Sequence, residues 1–278
     1  MELVWLGDEA AHDAALTGGK AASLSRLAAT YRVPPGFVLT TQAFERDPAL
    51  VAAILETAYR HLGALTGGSD PRVAVRSSAV DEDGAGSSFA GQHETYLNLA
   101  GVEEVLGAVQ LCWESARSER ALDYRRQHGL AVDNPTIAVL VQHLVPADVA
   151  AVVFSANPLT GSRDEVVINA SWGLGESIVG GTTTPDTFVV AKAGLCVRER
   201  TVGEKRRMTV SVPGGTREVD VPALLRSRLS VTDEQAVAMA RLAIALEETV
   251  GHPVDVECAL VGDELYLLQS RPITTLAR

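Results

Sequence analysis

The chain has 278 residues, 46% apolar and 21% charged, long enough to bury the core of one large domain or of two lobes. Asp and Glu outnumber Lys and Arg by 35 to 24, a formal net charge of −11, which argues against a nucleic-acid or anionic-membrane partner and means that any bound anion must be held by local cations. Cys112, Cys196 and Cys258 have no paired spacing that would suit zinc or a disulfide framework, the start MELVWLGDEAAHD has no signal-peptide pattern, and no apolar run is long enough for a bilayer, so a reduced, cytoplasmic setting is expected.

In chain order, apolar spacing predicts a helix over 21–30, preceded by Thr17-Gly18-Gly19 and ended by Val33-Pro34-Pro35-Gly36. A strand is expected at 37–40, a helix at 48–61 and a strand at 73–76. Residues 81–91 (DEDGAGSSFAG) are too rich in Gly, Ser and acid for regular structure, and one helix is predicted from about Val102 to Gln127. The β-branched run 136–145 has the composition of a strand covered on both faces. Strands at 149–155 and 165–170 follow, then a glycine-rich loop over 171–187, an irregular polar stretch at 213–228 and a helix over 232–250. The mixture predicts an α+β fold with mainly antiparallel sheets in two lobes, dividing near Gln142.

Four constellations carry possible chemistry. Gly18-Gly19-Lys20 places flexible backbone and one cation before a helix, an arrangement suited to phosphate but more often a plain turn, and it lacks P-loop spacing. Arg76, with Ser77 and Ser78, ends a strand at the mouth of the Gly/Ser loop, either as an anion clamp or paired with Asp81 or Asp83. Gln142 lies within an apolar strand, where its amide needs a partner: a backbone group or the edge of a nucleobase. None of the six histidines has paired spacing, and His93 is singled out only for its place in the Gly/Ser loop.

The fourth is the terminal stretch DVECALVGDELYLLQSRPIT. Asp255 and Glu257 leave one face of a strand, as do Gln269 and Arg271 on the next, with Gly262-Asp263 between them as a hairpin signal. A two-residue loop would set Glu257 opposite Leu268. A three- or five-residue loop sets it opposite Gln269 and sets Asp255 opposite Arg271, so an odd loop is expected if the four are to share a face. Such a face offers hard oxygen ligands beside a guanidinium that matches phosphate oxygens, or else a solvated edge with cross-strand ion pairs.

TGGKAASL at 17–24, VPPGFVLTT at 33–41, VAVRSSAVDEDGAGSSFAGQHETYLN at 73–98, VQHLV at 141–145, FSANPLTGSRDEVVINASWGLGESIVGG at 154–181, TPDTF at 184–188, and the closing DVE and LLQSRP follow one another in an order that resembles the ATP-binding domain of the phosphoenolpyruvate synthase and pyruvate phosphate dikinase family, including rifampin phosphotransferase-like enzymes. The resemblance covers nearly the whole chain and implies a single ATP-grasp domain over 1–278, with lobe one at about 1–141 and lobe two at about 142–278 enclosing a nucleotide cleft. It implies ATP and Mg²⁺ as cofactors. Lys20 and Arg76 resemble the residues that hold the phosphates, Gly91 and Thr95 lie in the loop that covers them, and Gln142 stands beside the adenine. Glu257 and Gln269 resemble the metal ligands, supported by Asp255, and Arg271 resembles the arginine that stabilises charge during transfer, so that Lys20, Arg76 and Arg271 are the expected catalytic set.

The family chemistry implied is cleavage of ATP to AMP and phosphate, by way of a histidine on a swivelling domain, toward a small-molecule acceptor. No Ser-His motif of the swivelling type occurs here, so a stand-alone ATP-binding subunit is expected, working with a separate phosphohistidine domain or subunit and an acceptor-binding protein, and with neither nucleic acid nor membrane. His93 stands where a second glutamine is expected after Gln92, and the segment between Phe44 and Val73 is shorter than the family pattern. An ATP-dependent ligase or condensing enzyme acting through a phosphorylated intermediate is the alternative enzyme class, and a non-catalytic nucleotide-sensing module is the alternative of another kind.

Overall fold

The computed structural model describes residues 1–80, 95–127 and 136–274, which form two compact units: Met1–Leu144 with Pro213–Gly215, and Val145–Val212 with Thr216–Arg278. In both large sheets every neighbouring pair of strands is antiparallel. Gln142 belongs to the first unit.

The first unit contains β1 (Leu3–Trp5), α1 (Ala14–Leu27), β2 (Gly36–Leu39), α2 (Pro48–Thr66), β3 (Val73–Ala79), β4 (Thr95–Leu99), α3 (Val102–Ser115), α4 (Glu119–Gln127) and β5 (Ile137–His143), with sheet order β1-β2-β5-β3-β4. Period-2 alternation sorts its side chains. Phe37, Leu39, Val73, Val75, Val139 and Val141 face one way and form a core with Val51, Leu55 and Leu62 of α2 and Val105, Val109 and Cys112 of α3. Ala74, Arg76 and Ser78 face the other way, toward α1, whose Ala21 N–H donates to Ser78 Oγ at 3.1 Å. Asp47 caps α2 through the Ala49 and Leu50 amides, with Pro48 at its first turn and a left-handed Gly67 after its last. Tyr59 of α2 pins this core: its hydroxyl lies 2.6 Å from Asp70 Oδ1 and 2.8 Å from the Pro71 carbonyl, and accepts from Gly101 N–H at 2.8 Å.

The second unit contains β6 (Val149–Phe154), β7 (Glu165–Trp172), α5 (Glu176–Val179), β8 (Asp186–Ala191), β9 (Cys196–Thr201), β10 (Arg207–Val212), β11 (Gly215–Asp220, its first residue grouped with the first unit), α6 (Ala223–Arg226), α7 (Asp233–Val250), β12 (Val254–Val261) and β13 (Glu264–Pro272). The six-stranded sheet runs β13-β12-β6-β7-β8-β9, and β10 and β11 form a separate pair. A capping box of Thr232 and Gln235 starts α7, which buries Ala236, Met239, Ala240, Ala243 and Leu246 against the sheet. The start of β8 is held by Asp186, fully buried, which accepts from Gly203 N–H at 2.9 Å, from the Lys205 ammonium, and from Ser230 N–H and Oγ at 2.6 and 2.8 Å. Satisfying every partner is what lets an ion pair sit in a core.

Several expectations need correction. The single helix over 102–127 is two, because Ala116–Ser118 turn between α3 and α4. The 213–228 stretch is not irregular but holds β11 and α6, and the 171–187 loop carries α5 and the end of β7. The helix expected from residue 21 begins at Ala14 and is broken at Gly18, whose φ of 76° leaves the helical region. The thiols of Cys112 and Cys258 are buried, burial pushes that of Cys258 up to about 12, and Cys196 is exposed at the head of edge strand β9. No helix among the described residues is long and apolar enough to cross a membrane.

Candidate functional site

In the first unit, the break at Gly18 brings Lys20 onto β3. A Cβ at Gly18 would come within 2.2 Å of the Ser78 carbonyl oxygen, so only glycine allows this approach, and its positive φ favours glycine as well. Lys20 is 5% exposed, and its Nζ donates to the Ser77 carbonyl at 3.0 Å, one residue from Arg76. Arg76 sits opposite Thr95 of β4 and Leu140 of β5, on the face toward α1, and is 9% exposed. Lys20, Arg76 and Thr95 are thus brought together on one side of one sheet.

Gln142 pairs with Ala74 and Gly36 on the same face, and its Nε2 donates to the Pro34 carbonyl at 3.0 Å. The amide therefore has the backbone partner that burial demands. Gly36 is packed so closely that a Cβ there would approach the Val141 carbonyl to 2.6 Å, which fixes the Gln142 strand against β2. Gly91, His93 and the proposed Arg76 partners Asp81 and Asp83 lie outside the described residues.

In the second unit, the ladder between β12 and β13 sets Asp255 opposite Arg271 and Glu257 opposite Gln269. The route to this register differs from the expected one. Val261 pairs with Glu264, so the loop is the two-residue Gly262-Asp263 turn, and the ladder then shifts between Glu257 and Cys258, where Gln269 and Leu267 are the respective partners. Leu268 is the extra residue of a β-bulge, and this one-residue insertion changes the parity that an odd loop was expected to change.

The face bearing these four residues is opposite the one covered by α7. Val256, Val153, Ile168 and Phe188 pair in succession and are fully buried on the α7 side. The alternate row runs Gln269, Glu257, Val152, Asn169, Thr187, and the next runs Arg271, Asp255, Phe154, Val167, Val189. Asn169 shares a row with Glu257 and Gln269, although VVINASW reads in the sequence as a strand leading into a loop. The signal was there: Val166, Ile168 and Ala170 alternate with Val167, Asn169 and Ser171.

Arg271 Nε donates to Asp255 Oδ2 at 2.8 Å, while Asp255 Oδ1 is buried with no hydrogen-bond partner among the described residues. Burial pushes the Asp255 carboxyl above the ordinary carboxylate range, against the charge and hydrogen bond of Arg271, and the neighbouring Glu257 charge adds to the rise. An orphaned buried carboxylate oxygen beside a second carboxylate and an amide carbonyl fits a hard cation such as Mg²⁺. Among the described residues no three His, Cys, Asp or Glu side chains gather into a metal cage, so an ion held by Asp255, Glu257 and Gln269 would complete its shell with water and phosphate oxygens.

With these features in view, the comparisons with known proteins define the class. The family of the pyruvate phosphate dikinase AMP/ATP-binding domain matches residues 46–278. The chain is 35% identical over 320 residues to a probable phosphoenolpyruvate synthase of Methanocaldococcus jannaschii, covering 99% of this chain and 27% of that protein. It is 40% identical over 286 residues to the prodigiosin synthesizing transferase PigC of Serratia marcescens (94% and 32%), and 41% identical over 204 residues to the uncharacterized phosphotransferase YvkC of Bacillus subtilis (73% and 24%). The chain therefore spans less than half the length of each of these relatives. Among solved structures it is similar to D-alanyl-alanine synthetase A of Vibrio cholerae at 13% identity and a TM-score of 0.37, covering 90% of this chain and 54% of that one, a likeness that adds nothing to the family match.

This chain belongs to the pyruvate phosphate dikinase AMP/ATP-binding domain family. Its α+β fold of two units with antiparallel sheets is the fold class expected from the sequence.

Proposed function

We propose that the chain binds Mg-ATP and is the nucleotide-cleaving part of a dikinase-type phosphotransferase. It releases AMP as the pyrophosphoryl group passes to a histidine of a separate swivelling domain or protein; loss of the outer group as phosphate leaves a phosphohistidine, whose phosphoryl group goes to a small-molecule acceptor. The observation that carries this reading is the alignment of Asp255, Glu257, Gln269 and Arg271 on the one face of the six-stranded sheet not covered by α7, with an Asp255 oxygen left without a hydrogen-bond partner among the described residues. The names of the relatives, synthases and transferases that handle phosphate groups, support the same reading.

Phosphoryl transfer asks little covalent work of side chains and much positioning and charge neutralisation. Lys20 and Arg76 are the cations of the first unit assigned to phosphate oxygens, with Thr95 beside Arg76 and Gln142 assigned to the adenine; Gly91 is assigned to the covering loop. Asp255, Glu257 and Gln269 would hold and orient the cation, and Arg271, anchored by Asp255, is the guanidinium assigned to the group being transferred. Mg²⁺ bound there would neutralise phosphate charge and fix the geometry of the phosphate chain.

The test is incubation with ATP labelled at the β-phosphorus, Mg²⁺ and histidine-bearing candidate partners. Acid-labile phosphohistidine on the partner, with AMP formed only in its presence, is the expected result. Steady accumulation of ADP with no phosphohistidine would overturn the dikinase reading and favour direct kinase or ligase chemistry. Glu257→Ala and Arg271→Ala should each lower turnover by about a hundredfold or more, as when a charge-stabilising group is removed from a transfer site.

A further inference from the structure

Resting on that reading, we propose that Asn169 is an additional phosphate-binding residue, oriented by Thr187, which donates hydrogen bonds to the distal phosphates of ATP from the far side of the metal ligands. Four successive pairings place it there. Gln269 faces Glu257, Glu257 faces Val152, Val152 faces Asn169, and Asn169 faces Thr187, all in one row on the sheet face opposite α7. One apolar residue, Val152, separates the carboxylate of Glu257 from the carboxamide of Asn169.

Two strand spacings put the Glu257 and Asn169 backbones about 10 Å apart. A phosphoryl group drawn to a cation at Glu257 and Gln269 would extend across Val152 toward the Asn169 carboxamide. The two ends differ in chemistry as such a bridge requires. Glu257 and Gln269 offer oxygen to a cation, and Asn169 offers hydrogen to an anion.

Thr187 gives the amide its direction. Its Oγ1 donates to Asn169 Oδ1 at 3.0 Å, which occupies the carbonyl end and leaves the two N–H donors of Nδ2 without an acceptor among the described residues. Asn169 and Thr187 are both partly exposed on this face, whereas their neighbours Ile168, Ala170 and Phe188 are buried beneath α7. A neutral donor at this place can bind phosphate without competing with Arg271 for Asp255.

Binding of Mg-ATP and of AMP to the chain by titration calorimetry, with thermal melts of each variant, tests the assignment. Asn169→Ala should weaken Mg-ATP binding about tenfold, as expected for one hydrogen bond to a charged group, and leave AMP binding and the melting temperature near those of the parent chain. Thr187→Val should reproduce a smaller part of the loss and Thr187→Ser should restore parent behaviour, because the hydroxyl orients the amide and does not touch the nucleotide. Unchanged Mg-ATP binding in Asn169→Ala, while Glu257→Ala loses it, overturns this assignment alone. A loss shared equally by AMP also overturns it, since the contact then lies away from the distal phosphates. A parent chain that binds neither nucleotide overturns the functional reading and this assignment with it.

Discussion

Glu257 stands opposite Gln269 across β12 and β13 because the ladder passes over Leu268. The turn has an even length that by itself would send the two side chains to opposite faces, and the bulge reverses that parity before the site begins. Deleting Leu268 should therefore iron out the ladder and still leave Glu257 facing the glutamine, with Mg-ATP affinity kept within about threefold of the parent. Deleting Ser270 should turn Arg271 toward the α7 face and lower ATP turnover by about a hundredfold or more. Equal effects of the two deletions in a turnover assay would contradict this account of the register.

Removing Arg271 should make stability pH-dependent in a definite direction. A carboxyl whose folded pKa is raised binds its proton more tightly folded than unfolded, so the penalty on folding is absent below the unfolded value, near 3.8, and in full force above the folded one. Without the Arg271 charge the Asp255 pKa rises further. Arg271→Ala should therefore melt below the parent at pH 7, and the gap should narrow as pH falls toward 4. A gap that stays constant across thermal melts from pH 4 to 8 would remove Asp255 as its cause.

Gly18→Ala should destabilise the first unit by about 2 kcal/mol or more, because it combines a positive φ with a clash against backbone that cannot swing aside. The same substitution should weaken ATP binding, since it lifts Lys20 from β3. Gly68→Ala, where a Cβ meets nothing within 4 Å, is the control and should change neither property. Urea unfolding and nucleotide titration read the two effects separately.

The Tyr59 hydroxyl gives a second pH signature, at the alkaline end. Burial, with the hydrogen bond to Asp70, raises its pKa to about 12. The stability it contributes is fully present below its ordinary value of 10.0 and is lost as pH rises through about 12. Tyr59→Phe should cost about 1 kcal/mol at pH 7, since it removes the hydroxyl from Asp70 and the Pro71 carbonyl while the Gly101 amide keeps Asp70 Oδ1 at 2.8 Å, and the difference from the parent should shrink between pH 10 and 12. Urea unfolding across that range measures it.

What could be read from the sequence followed from local rules. Alternation gave the faces of β12 and β13, the Pro48 and Thr232 signals gave the starts of α2 and α7, and the β-branched run gave the buried strand β5. What could not be read depended on partners distant in the chain. The bulge at Leu268 arises in the ladder and leaves no mark in residue types, and the contact of Gly18 with Ser78 joins positions sixty residues apart. The row that Asn169 shares with Glu257 and Gln269 exists only once three further strands are aligned beside β7. The β11 strand is hard to read in GTREVD because Val219 is its one large apolar residue, and the strand lies in a two-stranded sheet.

The distribution of thiols has a practical use. Cys112 and Cys258 are sealed in the two cores, so a maleimide dye added to the native protein should attach at Cys196 alone, at the head of an edge strand on the opposite margin of the sheet from β13. The wild-type chain thus comes with its own attachment point for a fluorophore, and nucleotide-dependent movement can be followed optically without first engineering cysteines out or in.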